Sequence, residues 1–199
     1  MNELSPQPRV RPTTQAAEGV PRLRWTLAEF DRLAELGILT EDDRIELIGG
    51  ELVPISPKGN RHENVKTLLS NWMYRRLPQD LLLAVALGWR PNDENYLEPD
   101  ILIFKSAPNP GRVSPSDVLL AIEIAVSSLA YDTGRKSEVY AMLGVPDYWV
   151  IDAVTLTTRV HREPSAAGYA RITEVGRSET LTPLKAASIA LRLDDLRLD

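Results

Sequence analysis

Asp100, Glu123 and Lys136 are the residues of this chain best suited to do chemistry together. Glu123 is the sole charge in Val118-Leu-Leu-Ala-Ile-Glu-Ile-Ala-Val126, a run that reads as a buried strand. An ionised carboxylate is costly to bury unless a metal, a cation or hydrogen bonds compensate. Asp100 heads a second apolar run, Glu98-Pro-Asp-Ile-Leu-Ile-Phe104, where Pro99 sets the chain at the start of a strand. Side chains alternate along strands, so Asp100, Leu102 and Phe104 share one face, as do Leu119, Ala121, Glu123 and Ala125. If the two strands are neighbours, the carboxylates converge and repel, and a cation between them removes the penalty. Asp132, Lys136 and Tyr140 follow at i, i+4, i+8, one stripe of a helix. A short connection, Ser127 to Tyr131, folds that helix back beside the strand and brings Lys136 toward the acids. Two acids and a lysine around a divalent cation suit phosphodiester hydrolysis. The ion binds the phosphate and lowers the pKa of its water, and the lysine stabilises charge or positions the nucleophile. The same residues also have structural readings: Glu123 paired with Arg135 or Lys136, Asp100 bonding a turn, and Asp132–Lys136 as a surface bridge worth a few tenths of a kcal/mol.

Composition narrows the metal. The 199 residues include no cysteine and only two histidines, His62 and His161. Disulfides, thiol catalysis, Cys-ligated zinc and a multi-histidine centre are thereby set aside. A metal here is held mainly by carboxylates, which favours Mg²⁺ or Mn²⁺. The net charge of −5 argues against non-specific coating of nucleic acid, while leaving room for a local basic cleft. The longest apolar run, Leu81 to Leu87, is too short to span a bilayer. The first residues contain no apolar h-region, so the expectation is a cytoplasmic protein.

The elements that must position these residues are legible from periodicity. Residues 1–22, rich in Pro, Thr, Gln and Arg, read as a flexible tail, and 23–199 as one domain. Thr26-Leu-Ala-Glu29 predicts a capping box opening a helix with Leu27, Phe30, Leu33 and Leu36 on its apolar face, ending at Gly37. Gly49-Gly50 between two alternating segments predicts a hairpin. A second helix is expected from about Asn60 to Leu77, using Val65, Leu68, Leu69, Trp72 and Met73. Strands follow at Leu81–Trp89, Tyr96–Phe104 and Val118–Val126. A helix spans about Asp132 to Leu143, and further strands lie at Asp147–Asp152, Thr155–His161 and Tyr169–Val175. The tail, Leu181 to Leu198, reads as a strand fragment and a helical turn. This order predicts an α/β fold with a mixed sheet flanked by helices.

At these residues the chain resembles a known group. Pro99-Asp100, Glu123, Asp132-Xaa₃-Lys136-Xaa₃-Tyr140 and Gly144-Val-Pro-Asp-Tyr-Trp-Val-Ile-Asp152 resemble the Uma-type putative restriction endonuclease family, of the PD-(D/E)XK nuclease superfamily. Thr26-Leu-Ala-Glu-Phe30, Ile45-Glu-Leu-Ile-Gly-Gly-Glu-Leu52 and Ser56-Pro57 followed by His62 fit as well. The resemblance implies a restriction-endonuclease-like fold and a metal-dependent endonuclease acting on DNA. It implies Asp100 and Glu123 as metal ligands, the Ile124 carbonyl as a third protein oxygen, and Glu46 and His62 as polar residues bordering the site and assisting metal or water. The superfamily's usual lysine falls at Ala125 here, and the resemblance moves that role to Lys136. Val126 stands where a polar residue is expected. Nucleases of this fold often pair, so a homodimer is an expectation. His62 is otherwise a simple first-turn helix residue, and Glu46 the polar face of a hairpin strand. Tyr140, Tyr148 and Trp149 read as core. The competing expectation is a non-catalytic module, binding nucleic acid or protein on a retained nuclease fold; hydrolysis of RNA or another phosphodiester is a third.

Overall fold

A computed structural model of the chain describes residues 13–15 and 21–197. Part of the segment expected to be a flexible tail is paired: β1 (Thr13–Gln15) runs antiparallel to β2 (Pro21–Leu23). The rest of that segment, 1–12 and 16–20, lies outside the described residues.

Helix α1 (Leu27–Glu35) begins with the expected capping box. The Thr26 hydroxyl accepts from the Glu29 N–H at 3.2 Å, and the Glu29 carboxylate accepts from the Thr26 N–H at 3.0 Å. Leu27 and Phe30 are buried, but Leu36 is 55% exposed and does not continue the apolar face. It follows the last helical turn, where Gly37 takes a positive φ and turns the chain away. Strands β3 (Ile45–Ile48) and β4 (Glu51–Pro54) form the expected hairpin. Its turn residues, Gly49 and Gly50, both have positive φ, the conformation that makes Gly-Gly suit a two-residue turn. Helix α2 (Asn60–Tyr74) buries Val65, Leu69 and Met73, with Leu68 and Trp72 half-buried, and stops short of Leu77.

Two long expected strands are each broken in two. Leu81–Trp89 divides into β5 (Leu81–Val85) and β6 (Trp89–Asn92), because Ala86 adopts a positive φ between them. Tyr96–Phe104 divides into β7 (Asn95–Leu97) and β8 (Ile101–Lys105) around Glu98-Pro99-Asp100. Pro99 has no N–H to give a ladder, so pairing lapses there and the two halves enter different sheets. Asp100 therefore precedes β8 instead of lying within it. Strand β9 (Val118–Ala125) matches the expected run.

The helix after β9 is not continuous. It starts earlier than expected, as a turn α3 (Leu129–Tyr131), widens through Asp132–Lys136, and resumes as α4 (Ser137–Met142). The wide turn has the i→i+5 character of a π segment, and Gly134 inside it departs from helical geometry with φ −102° and ψ −106°. Strands β10 (Asp147–Asp152), β11 (Thr158–Ser165) and β12 (Gly168–Val175) complete the sheet. Strand β11 begins later than expected and runs past His161, because Asp152 to Thr157 make a tight turn.

Besides the β1-β2 pair, one sheet has six strands in the order β12-β11-β10-β9-β8-β5, and another has four in the order β4-β3-β7-β6. Within the larger sheet only β9 and β10 are parallel. A parallel pair needs a crossover, and the helical segment 129–142 supplies it. Strand β9 is thus covered on both faces. Leu120, Ile122 and Ile124 pack with Val65, Leu69 and Met73 of α2. Ala121 and Ala125 pack with Val139, Tyr140 and Tyr148. Glu123 belongs to this second face by alternation, among apolar neighbours. Among the described residues no helix is long and apolar enough to cross a membrane.

Candidate active site

The end of β9, the approach to β8 and the kinked crossover meet at a cleft of about 290 Å³. Its walls include Glu46, Lys58, His62, Asp100, Glu123 and Lys136, with Ile124, Val126, Tyr131 and Asp132. All five side chains picked out from the sequence therefore reach one place. They come from β3, α2, the Pro99 turn, β9 and the wide turn.

Asp100 is 2% exposed and every oxygen is used. Oδ2 accepts from the Ile124 N–H at 2.8 Å and lies 3.0 Å from His62 Nε2. Oδ1 accepts from the Lys58 ammonium at 2.5 Å. The backbone bond explains the placement: the chain leaves the ladder at Pro99, and the Asp100 side chain takes up an amide of the neighbouring strand. Burial pushes the Asp100 carboxyl up, but His62 and Lys58 outweigh it and hold it down at about 2. His62, from the first turn of α2, is buried and thus fixes Asp100 in place.

Glu123 Oε1 accepts from the Tyr140 hydroxyl at 2.9 Å and pairs with Lys136 Nζ at 2.9 Å. The same ammonium donates to Glu46 Oε2 at 3.0 Å. Glu46 is held in turn by the Glu98 N–H, 2.6 Å from Oε1. Lys136 closes the wide turn and is buried there, where a solvated helical lysine is the commoner outcome. Asp132, also buried, accepts from the Ser128 hydroxyl, and its carbonyl accepts from the Tyr148 hydroxyl at 2.9 Å. Tyr140 and Tyr148 stack at 4.5 Å, so they are core residues as expected, yet their hydroxyls also hold the site.

The electrostatics of the cluster are lopsided. Four buried carboxylates, Glu46, Asp100, Glu123 and Asp132, face two lysines. Burial pushes the Glu123 carboxyl well up; Lys136 opposes this, while Asp100, Asp132 and Glu46 add to it. Burial works against the Lys136 ammonium, but Glu123, Glu46 and Asp132 outweigh it and keep Lys136 protonated. Carboxylates therefore outnumber the lysines that pair with them. Among the described residues no group of three or more histidine, aspartate or glutamate side chains is placed to hold a metal ion. Two carboxylates with a backbone oxygen and water still suit Mg²⁺, which keeps several waters and seldom takes an all-protein cage.

Ala125 is buried beside Glu123 and brings no charge. Val126 is 49% exposed at the rim. Sequence reasoning passed over Lys58, whose position inside Ser56-Pro-Lys-Gly59 carries no periodic signal. It also gave Tyr140 no polar role. The hints were its place on the stripe with Asp132 and Lys136 and its place in the family motif.

Residues 27–194 match the family described as Uma2, putative restriction endonuclease. No curated protein matches the chain. A crystal structure of a putative nuclease belonging to DUF820 from Anabaena variabilis is similar, with a TM-score of 0.64 and 18% identity over 86% of this chain and 96% of that one. At that identity the likeness shows a shared fold.

Proposed function

Because the chain belongs to the Uma2 family of putative restriction endonucleases, we propose that it is a Mg²⁺- or Mn²⁺-dependent endonuclease hydrolysing DNA phosphodiester bonds. The observation that supports this best is the convergence of Asp100, Glu123 and Lys136 in one cleft from three separate elements. Asp100, Glu123 and the Ile124 carbonyl are the oxygens that would hold the ion. The chemistry such an ion supplies is Lewis-acid polarisation of a phosphoryl oxygen and a lowered pKa for water.

The chain's own residues do the rest. His62 and the Ile124 N–H orient Asp100. Tyr140 orients Glu123. Glu46 anchors the Lys136 ammonium beside Glu123, where its charge faces the negative charge that develops on a pentavalent phosphorus and positions the attacking water. These contacts hold Glu123 and Lys136 in place before substrate arrives. DNA is the proposed substrate and partner, the cytoplasm the proposed compartment, and a homodimer the arrangement that lets two clefts reach two strands.

The experiment is a cleavage assay on linear, supercoiled and single-stranded DNA with Mg²⁺ and with Mn²⁺, run beside Glu123→Ala. Metal-dependent cleavage lost in the variant supports the reading. Equal cleavage by both proteins overturns the mechanism. One observation favours a second reading, a non-catalytic module on this fold: Lys58 and Lys136 already neutralise Asp100 and Glu123. Calorimetric titration separates the two, because a purely structural ion-pair network takes up no Mn²⁺ at millimolar concentration.

A further inference from the structure

Lys58 does not belong to the expected site, yet its ammonium is the cation on Asp100 Oδ1, 2.5 Å away. Both Asp100 oxygens are thus covered: Oδ1 by Lys58, Oδ2 by His62 and the Ile124 amide. The two kinds of cover differ. The Ile124 amide is part of β9, and His62 is buried in the first turn of α2. Lys58 lies in the irregular link between β4 and α2, its side chain remains partly exposed, and no other ion pair of the described residues holds its ammonium. A flexible four-carbon stem on a link is able to swing; a strand amide is not.

We propose that Lys58 is a tethered counter-ion that keeps Asp100 neutralised until a divalent cation displaces it, and that the displaced ammonium then binds a phosphate of the nucleic-acid substrate. This rests on the metal-dependent reading above. A divalent ion and an ammonium at the same Asp100 oxygen repel each other, so binding the ion at Oδ1 drives Lys58 away. Displaced, the ammonium stays at the cleft read above as the substrate site. Lys58 lines it together with Gly59, the N-cap of α2, and no side chain caps that helix start. The displaced ammonium and the uncapped first turn would face the same anion, and helix starts and lysine point charges both favour phosphate oxygens. Lys58 is therefore a positioning residue in the free protein and a substrate-binding one in the loaded protein.

The test uses the full chain with Lys58→Met, Lys58→Arg and wild type. Isothermal titration with MnCl₂ alone reads the competition. Removing the competing ammonium is expected to tighten Mn²⁺ binding by about tenfold in Lys58→Met, with Lys58→Arg close to wild type. Thermal unfolding gives an independent readout: without metal, Lys58→Met melts below wild type, and added Mn²⁺ raises its melting temperature by more. Fluorescence anisotropy with a labelled DNA duplex in Ca²⁺ reads the second role. Lys58→Met is expected to bind more weakly by about tenfold despite its tighter metal site. Equal Mn²⁺ affinity in wild type and Lys58→Met overturns the counter-ion role while leaving the metal site intact. Unchanged duplex affinity overturns the handover to phosphate. No Mn²⁺ uptake by any of the three proteins overturns this inference and the metal-dependent reading together.

Discussion

The Lys136 ammonium lies 2.9 Å from Glu123 Oε1 although a strand end, a turn and a kinked helix separate the two residues along the chain. Both side chains are buried, so the contact is a desolvated ion pair, unlike the exposed i, i+3 pairs elsewhere on this protein. Exposed pairs contribute little, whereas a buried pair is costly to break from one side.

Removing the lysine is the damaging half of that pair. Lys136→Met leaves Glu123, Glu46 and Asp132 buried without their shared cation. Its expected cost is about 3–5 kcal/mol in urea unfolding. Because the remaining carboxylates repel, millimolar Mn²⁺ should restore part of that stability. An unfolding midpoint equal to wild type without metal would contradict the role assigned to Lys136.

Removing the acid is milder for the fold. Glu123→Gln keeps the side-chain volume and relieves a carboxyl that burial pushes well up. Lys136 keeps Glu46 as a partner. Stability is expected to stay within about 1 kcal/mol of wild type. Metal-dependent cleavage should fall to background in the same protein. Loss of activity together with collapse of the fold would instead make Glu123 a structural residue.

Tyr140→Phe removes one hydroxyl and leaves the stacked ring in place. The lost hydrogen bond to Glu123 is expected to cost about 1 kcal/mol of stability. Freeing Glu123 to turn should weaken Mn²⁺ binding by about tenfold, as measured by calorimetry. Unchanged metal affinity would show that the hydroxyl does not orient the carboxylate.

His161 gives a pH dependence remote from the cleft. Its ring sits 5.3 Å from Tyr148 and 5.7 Å from Tyr169, and its Nδ1 is buried with no hydrogen-bond partner among the described residues. Burial lowers its pKa below the ordinary 6.5, outweighing the backbone contacts at Tyr148 and Arg159. The unfolded chain therefore takes up the proton first. Stability from this group is fully present above pH 6.5 and is lost as pH falls through the lowered value. Urea midpoints from pH 8 down to 5 should decline in wild type, and His161→Phe should remove much of the slope across that range. Parallel curves for the two proteins would assign the acid sensitivity elsewhere.

Local signals suffice wherever a few neighbouring residues decide the outcome. The capping box at Thr26 and Glu29, the Gly49-Gly50 turn and the apolar run of β9 depend on hydrogen bonds and periodicity within a few positions. The breaks at Ala86 and Pro99 were missed, since a run of apolar residues does not tell which sheet each half will join. Glu123 was visible as a candidate for the same reason that β9 was: one charge in a buried strand is a local anomaly. Asp100 and Lys136 needed the family resemblance as well as spacing.

The sequence alone determined which donor groups the cleft has to offer, because no cysteine and only two histidines leave carboxylates as the main ones. Only the tertiary structure decided which cations answer them. Lys136 turns inward through a wide turn that no i, i+4 pattern announces, and Lys58 arrives from an irregular link with no periodicity at all. Spacing along a chain specifies faces of regular elements, whereas ion pairing in a cleft depends on distances set by how those elements cross.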